Sequence, residues 1–154
     1  MDDSALFASL YPSLRQFAAV TGSVDVEPDD LVQEAVARTL RRHRLVELDD
    51  AGAYLRRAIV NLASNRRRSM ARWRRAIARL EPVDEAQHAE YGSDLSDLLR
   101  LEPDARALLF MVEVEGHSYA EAGVVLGINE QAARARAARA RRRLRADIEG
   151  ATDE

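Results

Sequence analysis

The stretch from residue 118 to residue 145 restricts the fold of this chain more than any other part of the sequence. Ser118 and Glu121 have the spacing of a capping box, in which a serine hydroxyl and a glutamate carboxylate satisfy free backbone amides at the start of a helix. Gly127 tolerates the left-handed turn that ends a short helix, and Asn129 is a suitable cap for the next helix. A short helix, a glycine turn and a further helix, in this order, predict a helix-turn-helix.

The second helix of this motif has two chemically different faces. Its inward face is predicted to consist of Ala133, Ala137, Ala140, Leu144 and Ile148. Its opposite face consists of Gln131, Arg134, Ala135, Ala138, Arg139, Arg142 and Arg145. An arginine-rich face is often simply solvated, but its place in a helix-turn-helix favours contact with DNA. Small alanines allow close approach, and arginine and glutamine side chains can reach base edges and phosphates.

Helical periodicity dominates the rest of the chain, and no stretch shows the apolar-polar alternation of a half-buried strand. A first helix, capped near Asp3 or Ser4, is expected to end by Thr21, and a second to start at Pro28.

A third helix is expected to begin near Asp50 or Ala51. It should turn Leu55, Ile59 and Leu62 inward and most of its arginines elsewhere. Trp73 shares the phase of the inward residues and is therefore predicted to be buried, although a tryptophan among arginines can also stack on an unpaired base.

The segment from residue 81 to residue 93 is polar and acidic, has no helical periodicity, and is bounded by Pro82 and Gly92. These features are typical of a tether. The sequence therefore predicts an all-α protein with two small helical domains joined by a flexible linker. The domains are residues 1–80 and residues 94–149, the latter with the helix-turn-helix, and the linker is residues 81–93.

Composition excludes several functional classes. The 154 residues include no cysteine and only three histidines, which rules out zinc-thiolate sites and cysteine nucleophiles. A carboxylate metal site at Asp29, Asp30 and Glu34 is the remaining enzymatic alternative, but acids at a helix start commonly interact with the helix dipole. We therefore expect a protein that is not an enzyme and has no cofactor, metal or small-molecule substrate. The absence of a long apolar run and the acidic N-terminus predict a cytoplasmic location without membrane insertion.

A net charge of −3 conceals a strong segregation of charge along the chain. Residues 38–79 carry thirteen arginines and three acids, residues 134–145 carry seven arginines and no acid, and the other segments are acidic. The second basic block coincides with the helix-turn-helix, and the first is either a solvated face or a second contact with nucleic acid.

Five segments of the sequence resemble one family. Residues 30–35 (DLVQEA) are similar to the segment that docks on the clamp helices of RNA polymerase. Residues 53–63 (AYLRRAIVNLA), followed by the arginine run, are similar to the helix that opens and reads the −10 promoter element. Residues 101–109 (LEPDARALL), 116–121 (GHSYAE) and 126–128 (LGI) resemble signatures of the C-terminal domain, which reads the −35 element. The chain thus resembles the extracytoplasmic-function group of bacterial sigma-70 family RNA polymerase sigma factors over nearly its whole length.

This resemblance implies a promoter-recognition factor with core RNA polymerase and promoter DNA as partners, and an anti-sigma factor as a further partner. The implied polymerase-binding residues are Asp30, Leu31, Gln33 and Glu34. The implied −10 contacts are Arg56, Arg57, Asn61, Asn65, Arg66, Arg67 and Arg68. The implied −35 contacts are Gln131, Arg134, Ala135, Arg136 and Arg139.

Two departures from the family pattern keep other functions open. Ala122 and Gly123 stand where the family usually has Ile-Ala, which removes a core side chain and lowers helix propensity. Residues 129–136 (NEQAARAR) keep the cap and two basic positions of the family's S-x-G-T-V-K-S-R but lose its hydroxyl groups. The alternatives are a stand-alone helix-turn-helix regulator that binds duplex DNA as a dimer, and a degenerate sigma-like interaction protein.

Overall fold

The computed structural model describes residues 1–80 and 100–152, with side chains to residue 150. It contains six helices within these ranges: α1 (Asp3–Thr21), α2 (Pro28–Leu40), α3 (Ala51–Leu80), α4 (Pro103–Glu113), α5 (Tyr119–Leu126) and α6 (Glu130–Thr152). A single 3₁₀ turn (Leu45–Glu47) connects α2 to α3. No strand occurs in the described part of the chain, so the predicted all-α class is confirmed. The predicted linker, residues 81–93, lies outside the described residues.

The helix ends follow from local side-chain chemistry. The Asp2 carboxylate accepts a hydrogen bond from the backbone N–H of Ala5 at 2.8 Å, so α1 is capped one residue before the predicted position. The Asp50 carboxylate accepts from the N–H of Ala53 at 2.9 Å, as expected for the start of α3. Pro28 occupies the first turn of α2, where its missing N–H costs nothing.

Helices α1, α2 and α3 form an N-terminal unit around fully buried side chains. Leu14 and Phe17 of α1, Leu31 of α2, and Leu55 and Ile59 of α3 each have no exposed surface. The inward residues predicted for α3 are confirmed, since Leu62 is also buried.

Helices α4, α5 and α6 form a C-terminal unit in which alanines set the packing distance. Ala122 of α5 and Ala133 and Ala137 of α6 are fully buried, and Ala140 is 5% exposed. The predicted inward face of α6 is therefore confirmed over its first three turns. The prediction is wrong for Ile148, which is 53% exposed.

The two units pack against each other and share one buried cluster. Helix α4 contacts α1 and α3, and α5 contacts α3. The rings of Phe17 and Phe110 lie 6.3 Å apart across this boundary. The sequence analysis did not predict this contact between the units.

The predicted burial of Trp73 is wrong. Its side chain is 60% exposed, and Met70, one turn earlier, is 44% exposed. The last buried residue of α3 is Ala63. The helix continues in its inward phase beyond that point, but no described element covers it there, so periodicity alone could not reveal the exposure.

Candidate nucleic-acid interface

The helix-turn-helix is held rigidly by its own capping groups. The Ser118 hydroxyl accepts from the N–H of Glu121 at 3.0 Å, and the Glu121 carboxylate accepts from the N–H of Ser118 at 3.3 Å, which is the predicted capping box. Interactions of the Glu121 carboxylate itself, first with the Ser118 side chain, then with the Ser118 backbone N–H and with His117, hold the pKa of this exposed carboxyl below its usual range. Gly127 adopts the predicted left-handed conformation (φ 71°), and Asn129 caps α6 through a 2.8 Å bond from the N–H of Ala132.

The glycine in the middle of α5 has a packing role. A Cβ at Gly123 would lie 2.6 Å from the carbonyl oxygen of Ile128, closer than real Cβ atoms approach backbone. The Ile128 N–H donates to the Gly123 carbonyl at 2.9 Å, so the turn is bonded directly to the glycine. The unusual Ala122-Gly123 pair therefore allows α5 and the turn to pack at short distance, which compensates for the low helix propensity of glycine.

The outer face of α6 presents most of the predicted −35 residues to solvent. Gln131, Arg134, Ala135 and Arg139 are exposed. Arg134 pairs with Glu130 at 2.7 Å, and its guanidinium lies 4.8 Å from the centre of the Tyr119 ring, so its position is restricted.

Arg136 differs from the other predicted −35 residues. It is half-buried, and its guanidinium donates to the Asp104 carboxylate of α4 at 2.9 Å. It therefore contributes to the packing of α6 on α4 in this arrangement.

A stripe of polar and basic side chains runs along α3. Asn61, Asn65 and Arg68, three of the predicted −10 residues, are exposed. The same helical face continues beyond the predicted site with Arg72, Arg75 and Arg79, which are also exposed. Their alternating spacings of four and three residues mark one helix face, and this signal was available in the sequence. At about 1.5 Å per residue the stripe is about 27 Å long.

Arg56, one of the predicted −10 residues, lies buried at the boundary between the two units. Arg56 is only 9% exposed. Its guanidinium donates to both carboxylate oxygens of Glu115, at 3.2 and 2.5 Å, and lies 5.6 Å from the centre of the Phe17 ring. It therefore cannot reach a phosphate or a base while the two units are in contact.

Other predicted arginines of α3 also have protein partners. Arg66 pairs with Glu34 of α2. Arg67 donates to the carbonyl of Leu101 at 2.5 Å and lies 3.4 Å from the Glu102 carboxylate. Arg57 is exposed, and its guanidinium lies against Gly127, where an added Cβ would be 3.2 Å away.

A cavity of about 170 Å³ lies where α3 meets the C-terminal unit. Arg57, Asn61 and Arg68 line it from α3, and Asp104, Leu126 and Arg136 line it from the other unit. The structure thus places these three exposed residues next to the helix-turn-helix.

The predicted polymerase-binding residues of α2 divide into surface and core. Asp30 and Gln33 are exposed, and Glu34 is partly exposed and pairs with Arg38 at 2.7 Å as well as with Arg66. Leu31 is fully buried, so it holds α2 in the core and does not form part of the surface.

Asp29, an acid at the start of α2, is paired with two side chains of α1. Tyr11 donates to the Asp29 carboxylate, which also accepts from Arg15 at 3.2 Å. The Tyr11 pKa is raised, chiefly by this hydrogen bond. Within residues 1–80 and 100–152 no group of three or more acids or histidines is arranged to hold a metal ion. None of the helices in these ranges is long and apolar enough to cross a membrane.

These features define a helical protein with a helix-turn-helix unit and a second, arginine-lined helix suited to nucleic acid. Comparison with known proteins identifies its family. Residues 98–144 match the family described as Sigma-70, region 4. The chain is 30% identical over 143 residues to the ECF RNA polymerase sigma factor SigM of two Mycobacterium tuberculosis strains, ATCC 35801 and H37Rv, covering 90% of this chain and 73% of the relative. The chain therefore belongs to the extracytoplasmic-function sigma factors.

A solved structure has the same fold. The sigma factor RpoE of Bartonella quintana, in complex with the anti-sigma factor NepR, superposes with a TM-score of 0.65 and 21% identity. The match covers 95% of this chain and 96% of that one. The all-helical architecture with a C-terminal helix-turn-helix is thus shared by both.

Proposed function

We propose that this protein is a sigma factor that binds core RNA polymerase and directs it to promoters, without enzymatic activity of its own. The observation that carries the proposal is the capped helix-turn-helix with an exposed face of glutamine and arginine, in a chain related to sigma factors over 90% of its length. Because polymerase and promoters are cytoplasmic, the protein acts there.

The exposed face of α2 is the polymerase-docking surface. Asp30, Gln33 and Glu34 offer carboxylate and amide groups beside the buried stripe, which suits a basic partner surface. Glu34 either leaves Arg38 and Arg66 to pair with a basic group of the polymerase, or keeps both partners and presents a fixed negative charge.

The stripe on α3 holds the −10 strand. Asparagine side chains can bond to base edges, and a row of arginines can follow the phosphates of a single strand. Asn61 and Asn65 are the base-reading candidates, and Arg68 positions the backbone. The net charge of −3 opposes tight binding of the free protein to duplex DNA.

The outer face of α6 enters the major groove at the −35 element. Gln131 and Arg139 are the base-reading candidates, and Arg134 reaches a base or a phosphate after leaving Glu130. The alanine at position 135 lets the helix approach the groove closely. The similarity to a sigma factor that was solved with an anti-sigma factor supports an anti-sigma factor as a further partner.

The decisive test is co-purification with core polymerase followed by run-off transcription from a promoter selected by the holoenzyme. The triple variant Gln131→Ala, Arg134→Ala and Arg139→Ala should retain core binding and lose promoter-directed transcription. Arg15→Ala, which removes an exposed arginine from α1, is the control and should transcribe normally. If the triple variant still gives normal promoter-directed transcription, the degenerate interaction protein becomes the better explanation. Tight binding of the free wild-type protein to duplex DNA would instead favour the dimeric regulator.

A further inference from the structure

Arg134, one of the proposed −35 contacts, is held by a side chain from the other helix of the helix-turn-helix. Its guanidinium lies over the ring of Tyr119, the first residue of α5, at 4.8 Å from the ring centre. Its other partner, Glu130, lies one turn earlier on α6 at 2.7 Å, and both side chains of that pair are more than half exposed. A surface ion pair of this kind contributes little to stability. The ring is therefore the contact that connects Arg134 to the rest of the unit.

The Tyr119 ring is itself fixed by the C-terminal unit. Its hydroxyl accepts a hydrogen bond from Arg141 at 2.8 Å, and Arg141 also donates to the Glu113 carboxylate of α4. The hydrogen bond to Tyr119, followed by the one to Glu113, raises the pKa of Arg141. The ring is partly buried and packs against the core. A chain of contacts thus runs from α4 through Arg141 and Tyr119 to Arg134 on the outer face of α6.

A neutral ring holds a guanidinium in a different way from a carboxylate. DNA phosphates repel the Glu130 carboxylate and compete with it for Arg134, but they do not repel the ring. An aromatic face attracts the cation without taking up its N–H groups, so Arg134 can still donate to a base or a phosphate. The ring also restricts the side chain beforehand, which reduces the conformational entropy that is lost on binding.

We propose that Tyr119 is a positioning residue for promoter recognition, whose ring holds the Arg134 guanidinium for the −35 element and leaves its N–H donors free. The inference rests on the proposed function, because it takes Arg134 as a −35 contact. In the described part of the chain only Arg134 and Arg141 have a guanidinium over this ring, so Arg139, on the same exposed helix face, supplies an internal control.

The contact with the ring can be measured without polymerase or DNA. Protons over an aromatic face are shifted upfield by the ring current, so the Nε–H signal of Arg134 reports on Tyr119 in a two-dimensional NMR spectrum. The signal is identified by its loss in Arg134→Gln. Tyr119→Leu keeps an apolar side chain but removes the ring, and it should move the Arg134 signal downfield. Tyr119→Phe keeps the ring and should leave the signal close to its original position.

The effect on recognition is measured with the holoenzyme. The affinity for a duplex that carries the −35 element of a selected promoter is divided by the affinity for a duplex in which this element is scrambled. Tyr119→Leu should lower this ratio about two- to fivefold, the range expected for loss of an exposed cation–π contact. Tyr119→Phe should retain most of the ratio, and both variants should bind core polymerase as the parent does. Circular dichroism checks folding, and Tyr119→Met replaces Tyr119→Leu if the latter unfolds.

Double variants separate positioning from packing. If Tyr119 acts through Arg134, Tyr119→Leu should have no further effect on the ratio in an Arg134→Ala background. In an Arg139→Ala background it should keep its full effect, because the ring does not hold that arginine. A residue that only supports the fold of the unit would lower the ratio equally in both backgrounds.

Three results would overturn the inference. An Arg134 signal that stays in place in Tyr119→Leu would show that the ring does not hold the guanidinium. A shifted signal with an unchanged affinity ratio would show that the contact does not position Arg134 for DNA. Equal losses in the two double-variant backgrounds would show a packing role. By contrast, a wild-type holoenzyme with no preference for any −35 element would refute the proposed function itself, and this role of Tyr119 with it, whatever the NMR signal shows.

Discussion

Gly123 offers the sharpest test of how the helix-turn-helix is packed. Gly123→Ala would place a Cβ 2.6 Å from the Ile128 carbonyl oxygen and 3.4 Å from that of Asn129. Both obstacles are backbone atoms of the turn between α5 and α6, and Ile128 is bonded to Gly123 itself. The turn must therefore move away from α5 to make room for one methyl group.

Two opposing effects determine the result. Replacing a glycine by alanine inside a helix stabilises it by about 1 kcal/mol. Overpacking of a tight contact costs about 1–3 kcal/mol, and weakening the Ile128–Gly123 backbone bond costs about 1 kcal/mol more. The steric effects are larger, so we expect Gly123→Ala to lower the free energy of unfolding by about 1–3 kcal/mol.

Urea denaturation followed by far-ultraviolet circular dichroism measures this difference. Gly150→Ala is the control because Gly150 also lies in a helix, but nothing is within 4 Å of its added Cβ. It should be neutral or up to about 1 kcal/mol more stable than the parent. If Gly123→Ala proves as stable as Gly150→Ala, the short distance between α5 and the turn is not the reason for the glycine.

Three further predictions concern single side chains. Trp73 is the only tryptophan, so intrinsic fluorescence should show an emission maximum typical of water and strong quenching by iodide; blue-shifted, protected emission would mean that the residue is buried after all. The folded-state pKa of Glu121 is lowered, so its stabilising contribution is present above about pH 4.5 and is lost as the pH falls through the folded-state pKa. The difference in free energy of unfolding between wild type and Glu121→Gln should therefore shrink when unfolding is measured at decreasing pH. Glu34→Arg should weaken binding to core polymerase by about 1 kcal/mol or more in a titration by anisotropy, with Glu34→Gln intermediate; equal affinity for all three proteins would exclude α2 as the docking surface.

Local chemistry made much of the fold predictable. Capping residues and glycine turns act within about four residues of a helix end. The start of α3 and both ends of α5 could therefore be placed from the sequence to within about a residue. The inward faces of α3 and α6 also followed from periodicity, because each is one stripe with a period of 3.6 residues.

The failures on α3 have one cause, which is that periodicity does not say what packs against a face. Trp73 has the correct phase but lies beyond the elements that could cover it. Arg56 lies outside that phase and is nevertheless buried, because a second unit covers this side of the helix. Its neighbours along that side, Gly52, Val60 and Ala63, are small or apolar and are also buried. This second stripe was present in the sequence and indicates a helix that is covered on two sides.

The contact between the units also changes the meaning of the segregated charges. The sequence analysis interpreted the first basic block as a solvated face or a contact with nucleic acid, but several arginines pair with acids of other segments. These pairs are Arg66 with Glu34, Arg56 with Glu115, Arg67 with Glu102 and Arg136 with Asp104. Exposed arginines remain on the far end of α3, on the outer face of α6 and, just after α2, at Arg41, Arg42 and Arg44.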